Sequence, residues 1–191
     1  MAGSERRGTG MCLLDESLTA KVWVVYGDEE IIRDAERLRP DIVAIDAPLT
    51  IPKGRSSIDD RSGPHFRECD LMLKRMGIKF FPVTLGPMRM LTKRGVRLKE
   101  RLTALGLRVV EVYPGGAQDV LGIPRKSKGL EALRRGLEAL GIRMPLGSLS
   151  GDELDAITAA YVGLLYLKGE AEVLKGVDGA IVMPRKGRGD Y

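Results

Sequence analysis

The sequence predicts one α/β domain, and three observations carry that prediction. Two continuous apolar runs, at residues 42–45 and 107–113, each hold or end on an acid and are followed by a proline, as strands buried on both faces can be. Segments with apolar residues at helical spacing lie on either side of these runs. The length, 191 residues, suits a single domain at roughly 100 to 200 residues each, and neither an internal repeat nor a convincing linker divides it.

Residues 11–14 and 22–26 are short β-type runs joined by the polar stretch DESLTAK, which predicts an antiparallel hairpin. Asp28 is placed to cap a helix whose apolar positions, Ile31, Ile32, Ala35 and Leu38, recur at helical spacing until Pro40 ends it. Residues 42–45 follow as a buried strand closed by Asp46, Ala47 and Pro48. The next stretch, TIPKGRSSIDDRSGPHF, is polar and longer than an idle connection, the kind of loop that carries function. A helix is expected over 67–76, a short strand over 79–84, and a long amphipathic helix from Gly86-Pro87 to about Leu105, stopped by Gly106. Residues 107–113 form the second buried strand, and Gly115-Gly116 turns the chain. The basic linker IPRKSKG leads to a helix over about 130–140, and GIRMPLGSLSG leads to another over about 152–167. A strand at 180–183 and the basic tail RKGRGDY follow. The loop and helices at about 50–106 read as an insertion within a single domain spanning 1–191.

Composition narrows the functional classes. Lys and Arg number 31 against 26 Asp and Glu, a net charge of +5 that leans toward anionic partners. Apolar residues make up 43% and charged residues 30%, enough to bury one core and too apolar for a disordered chain. No run approaches the ~18 apolar residues of a membrane span, and MAGSERRGTG holds no apolar block, so a soluble cytoplasmic protein is expected. Cys12 and Cys69 have neither disulfide-framework nor zinc spacing. There is no Asn and a single Gln, Gln118, beside abundant Lys, Arg and Glu, which fits a thermophilic source. The tail tripeptide Arg188-Gly189-Asp190 reads as chance.

Three places put carboxylates where a bland domain has no need of them. Asp46 ends an apolar strand in VAIDAPL, at the end of the sheet where α/β proteins bind ligands; the alternative is a cap for the following turn. Glu111 sits inside the run VVEVYP, either as a functional acid or as a salt-bridged one. Asp152 and Asp155 share one helix face with the small residues Ala156, Ala159, Ala160 and Gly163, a stripe that can press close to a sheet. Capping explains Asp152 well, whereas Asp155 is a functional acid or half of a buried ion pair. Converging carboxylates without clustered Cys or His suit Mg²⁺ or Mn²⁺, and two such ions can activate water and stabilise the leaving oxygen of a phosphodiester.

Between Met88 and Arg108 there are seven Lys or Arg against one acid, a local net of +6. Arg89, Lys93, Arg97 and Arg101 step by four along one helix face, a ridge suited to a phosphate backbone or, equally, a solvated face paired with acids elsewhere. Arg125, Lys126 and Lys128 can extend it. In the long loop Arg55, Arg61 and Arg67 are candidates to bind phosphate, and His65, the only histidine, is a weaker one.

The strings VAIDAPL, SGPHFRECD, IKFFPVTLGPMR, EVYPGGAQDVLGIPRK and DELDAITAAYVG together resemble a family of prokaryotic proteins, domain of unknown function 429, described as predicted nucleases of ribonuclease H-like fold. The resemblance spans nearly the whole chain. It implies a mixed sheet of three antiparallel strands followed by parallel ones, with helices on both faces. It also implies acids on the first strand, the fourth strand and the last helix. Asp46 matches the fourth-strand acid, Asp155 and Asp152 the last-helix acid, and Glu111 falls on the fifth strand. The family opens with a strand ending in a G-I-D-L-A-G-S-like motif, of which Met1-Ala2-Gly3-Ser4 matches only the tail. The central first strand and its metal-binding Asp are therefore expected to be missing or incomplete, with Met1 an internal methionine. The function expected is metal-dependent hydrolysis of nucleic-acid phosphodiesters with Mg²⁺ or Mn²⁺, using Asp46, Glu111 and Asp155 in catalysis and Asp46, Asp152 and Asp155 as metal ligands. A non-catalytic nucleic-acid-binding protein on the same fold is the alternative; a nucleotide phosphotransfer enzyme ranks last, for want of a Gly-rich phosphate loop.

Overall fold

Two short apolar runs build a hairpin of β1 (Thr9–Leu14) and β2 (Ala20–Val25), antiparallel with Thr9 opposite Val25 and Leu14 opposite Ala20. In the computed structural model the described residues are 1, 3, 4 and 6–186; the end of the basic tail, with its Arg-Gly-Asp tripeptide, lies outside them. Helix α1 (Asp28–Leu38) opens with three acids, which suit the positive end of the helix dipole, and buries Ile31, Ile32 and Ala35 as their spacing predicts. The chain leaves it through Arg39 in a left-handed conformation (φ 45°), just before Pro40.

The two buried runs become β3 (Val43–Ile45) and β4 (Val109–Glu111), paired in parallel with Ile45 opposite Glu111. Between them lie α2 (Glu68–Arg75) and the long α3 (Gly86–Ala104), which starts on Pro87. Then come α4 (Pro114–Val120), α5 (Leu130–Ala139), α6 (Gly151–Leu167), and β5 (Ala171–Lys175) paired antiparallel with β6 (Ala180–Pro184). Ser150 caps α6: its hydroxyl accepts from the Glu153 amide at 3.3 Å, and Glu153 reaches back to the Ser150 amide at 2.8 Å.

Two local expectations are corrected. Residues 79–84 form turns rather than a strand, because Pro82 removes a donor and the Lys79 carbonyl accepts from the Tyr113 hydroxyl at 2.7 Å instead of from a neighbouring strand. Gly115-Gly116 does not simply turn the chain. The pair sits in the first turn of α4, where a Cβ on Gly116 would come within 2.7 Å of the Tyr113 ring. Strand β5 carries exposed charge at Glu172 and Lys175 and too little apolar pattern to be read in advance.

Among the described residues the strands pair as three two-stranded ladders, β1–β2, β3–β4 and β5–β6, with a single parallel bridge from Val112 to Val182 tying the end of β4 to β6. Successive side chains of β1 and β3 face opposite sides. Met11, Val43 and Ile45 join the cluster under α1 and α3, built on Ile31, Leu98 and Leu102. Cys12 and Leu14 join Leu133, Leu154 and Ile157 under α5 and α6, and Ala44 packs with Val162 of α6. Helices therefore cover both faces of an α/β core. The small stripe of α6 lies against the strands as expected: a Cβ on Gly163 would meet Ala44 and Ile42 side chains at 3.4 Å. β1 and β3 do not pair with each other. Between them is a cavity of about 210 Å³, walled by both strands, by residues of α1 and α3, and by the α6 stripe.

Candidate acid site between the parallel strands and the sixth helix

Asp46 follows β3, at the carboxyl ends of the parallel pair, where the last strand residue gives way to a loop. Its Oδ2 is 2.9 Å from the Met1 ammonium. Burial and then the neighbouring charge of Asp155 raise the Asp46 carboxyl above its ordinary value, against the pull of the Met1 ammonium and Lys126.

Asp155 lies in α6 and is buried, 5% exposed, with both oxygens engaged. Oδ1 accepts from Gln118 Nε2 at 3.0 Å, and Oδ2 is 2.6 Å from Lys126 Nζ. Asp152, one turn earlier and more exposed, has Oδ1 3.7 Å from the same Nζ. Burial works against the Lys126 charge, but its hydrogen bond to Asp155 and the charges of Asp155, Asp152 and Asp46 more than offset it, so its pKa is raised. Three carboxylates from two distant segments thus share the field of one lysine.

Gln118 is the chain's only amide side chain of its kind, and it is 1% exposed. Besides Asp155 it donates to Thr158 Oγ1 at 3.2 Å, and that hydroxyl is itself committed as a donor to the Leu154 carbonyl at 2.9 Å. Both acceptors demand the amide nitrogen, which fixes the flip. Gln118 Oε1 is then left buried with no hydrogen-bond partner, a group that ordinarily costs about 1–3 kcal/mol.

Glu111 stands elsewhere. Although it neighbours Ile45 in the ladder, its oxygens accept from Arg67 Nη1 at 2.7 Å, Arg67 Nη2 at 2.6 Å and the Leu49 amide at 2.8 Å. Arg67 completes the network with Asp70, through Nη2 at 2.7 Å and Nε at 3.1 Å, and with Thr50. Burial works against the Arg67 charge, and Glu111 and Asp70 more than compensate, so the guanidinium is held well above its ordinary pKa. Glu111, expected in catalysis, and Arg67, expected to bind phosphate, meet here in a buried ion network, both side chains under 7% exposed.

The other basic candidates are dispersed. Arg55, 8% exposed, spends three nitrogens on the carbonyls of Pro64, Asp60 and Gly63 and so shapes its own loop instead of facing phosphate. Arg61 is exposed, and His65 Nδ1 is bonded to Thr84 Oγ1 at 2.6 Å. On the α3 ridge, Arg97 pairs with Asp28 at 2.6 Å, Arg101 with Glu29 at 2.6 Å, Lys93 with Asp59, and Arg89 donates to the Thr84 carbonyl at 3.2 Å. The ridge is real, but α1 and the long loop supply acids against it. Lys126, read only as an extension of that ridge, and Gln118 were the residues missed. A lone amide kept in an otherwise amide-poor chain was the available signal.

A second cavity, of about 140 Å³, shares Asp46 and is otherwise mostly apolar. No described helix is long and apolar enough to cross a membrane.

Part of the chain resembles porphobilinogen deaminase of Corynebacterium glutamicum (strain R), 30% identical over 131 residues, which is 65% of this chain and 42% of that protein. The chain thus spans less than half the length of that relative. No solved structure matches. Residues 5–179, nearly all of the chain, match the family described as protein of unknown function, DUF429. The acids on β3 and α6 therefore belong to a member of the DUF429 family.

Proposed function

We propose that the protein is a metal-dependent phosphodiesterase or nuclease acting at Asp46, Asp152 and Asp155. The observation that supports this reading most is the gathering of three carboxylates around Lys126, with the charge of Asp155 close enough to help raise the Asp46 carboxyl. Among the described residues no three acids, histidines or cysteines stand as a ready metal-holding group. The donor set nevertheless fits a hard cation: only oxygen ligands are at hand, and the Lys126 ammonium already answers the acids where such a cation would act. Asp46, Asp155 and Asp152 would hold Mg²⁺ or Mn²⁺, which when bound supplies Lewis acidity and an activated water. Gln118 holds Asp155 Oδ1 and so aims Oδ2 outward. Lys126, nearly half exposed, can pass from carboxylate to phosphate oxygen.

The same reading takes the fold as ribonuclease H-like, with helices on both faces of the strands.

Purified protein should cut DNA or RNA with Mg²⁺ or Mn²⁺, stop in chelator, and lose cutting in Asp46→Asn and Asp155→Asn while both variants remain folded. Metal-independent or mutation-insensitive cutting would sink the proposal. The pairing of Asp155 with Lys126 favours a second reading, nucleic-acid binding without catalysis; salt-sensitive binding without turnover, retained in Asp155→Ala, would select it.

A further inference from the structure

We infer that the smaller cavity beside Asp46 receives one unstacked nucleobase of a single-stranded nucleic acid; the inference rests on the phosphodiesterase reading and names its substrate class. At about 140 Å³ the cavity is well below the roughly 300–1,000 Å³ of sites for drug-sized ligands, room for one ring system and not for a whole nucleotide. Phe80, Phe81, Met88, Leu91 and Tyr113 give it an apolar and aromatic wall, beside the ion network of Arg67, Asp70 and Glu111. Asp46 is part of the same wall, so an occupant would lie beside the group proposed to react.

Two of the rings are held in place before any ligand arrives. Tyr113 lies on the backbone of Gly115 and Gly116, donates to the Lys79 carbonyl at 2.7 Å, and is capped by the Arg125 guanidinium 5.6 Å from its ring centre. Phe80 meets Phe66 edge to face, centroids 5.8 Å apart and planes at 79°. Phe81 is different. It is 67% exposed although it lines the cavity, an arrangement that costs burial in the free protein and gives a ring to stack on in a complex.

Cations stand beside the wall residues: Arg125, paired with Asp119, lies over Tyr113 and donates to the carbonyl of the exposed Lys79, and Lys126 lies with Asp155. Cations flanking an aromatic slot suit a phosphate chain whose base turns inward. In a duplex the base is stacked and paired and cannot enter without being extruded, whereas a single strand offers it freely.

The test measures binding apart from cutting. Labelled dT12 and rU12 are titrated by fluorescence anisotropy in chelator, beside a dodecamer of abasic deoxyribose phosphate. One stacked base predicts roughly 5- to 150-fold weaker binding of the abasic chain than of dT12 or rU12. Phe81→Ala should remove most of that difference while leaving abasic binding unchanged, and Phe81→Trp should restore it; Phe81 is exposed enough for both variants to fold, checked by circular dichroism. Base-dependent binding without Mg²⁺-dependent cutting would uphold the pocket and sink the catalytic reading. Binding indifferent to the base, or a preference untouched by Phe81→Ala, would overturn the pocket alone. No binding of any chain would overturn the pocket, and Mg²⁺-dependent cutting alone decides the catalytic reading.

Discussion

Replacing Glu111 with Gln separates a structural acid from a reacting one. The change keeps the shape but removes the charge that Arg67 faces at 2.6 and 2.7 Å, and it turns an NH₂ group toward one guanidinium N–H. Breaking a buried pair by removing one partner costs about 3–5 kcal/mol. Arg67 keeps Asp70 at 2.7 and 3.1 Å, so the lower end, about 3 kcal/mol, applies. For a chain of this size each kcal/mol moves Tm by about 2–4 °C, which gives a fall of about 6–12 °C by calorimetry. Arg67→Met should fall further, because it strands both Glu111 and Asp70, each buried. Metal-dependent cutting per folded molecule, assayed well below the lowered Tm, should remain. An unchanged Tm with cutting abolished would refute the reasoning and return Glu111 to the reacting acids.

Three further outcomes follow from particular groups. Burial alone would raise the Asp28 carboxyl, but its bonds to Arg94 and Arg97 outweigh that and leave its pKa lowered. The stability it adds is then complete above the ordinary carboxylate range and is lost as pH falls toward the folded value. The urea midpoint gap between wild type and Asp28→Asn should therefore narrow from pH 7 to pH 3, and a constant gap would refute it. Burial pushes the Cys12 and Cys69 thiols up to about 12, so native protein at pH 8 should resist thiol-labelling reagents while urea-unfolded protein reacts at once; rapid native labelling would contradict this. Ala160→Val places two more carbons in the cavity between β1 and β3, about 1.6 kcal/mol of burial less about 0.5 for the branched residue in a helix, so Tm should rise by about 2–4 °C. A fall would show that the wall there cannot accept them.

Periodicity carried most of the fold because it reports local physics. The spacing of Ile31, Ile32 and Ala35 and the short apolar run of β1 each depend on neighbours within a few residues, and the elements formed where expected. Residues 79–84 did not, since apolar β-type composition cannot show that the Lys79 carbonyl is claimed by Tyr113, 34 residues away. Strand β5 escaped for the opposite reason: its pairing with β6 is fixed by a short turn rather than by an apolar pattern.

The site divides along the same line. An acid closing an apolar strand announces that its charge must be answered, and Asp46 and Glu111 sent the same signal. What the signal omits is the answer. Glu111 meets Arg67, brought from 44 residues away at the start of α2, with both oxygens held by the guanidinium and one by the Leu49 amide. Asp46 and Asp155 meet ammonium groups instead, one on the flexible Lys126 stem and nearly half exposed. A guanidinium fork locks a carboxylate in one geometry, whereas an ammonium is a compact charge that can trade places with another cation. Lys126→Met should therefore raise the affinity of Asp155 and Asp152 for Mn²⁺ measured by calorimetry, because the competing charge is gone, even as it weakens the hold on phosphate. Lower Mn²⁺ affinity in that variant would mean that Lys126 organises the acids rather than competing for them.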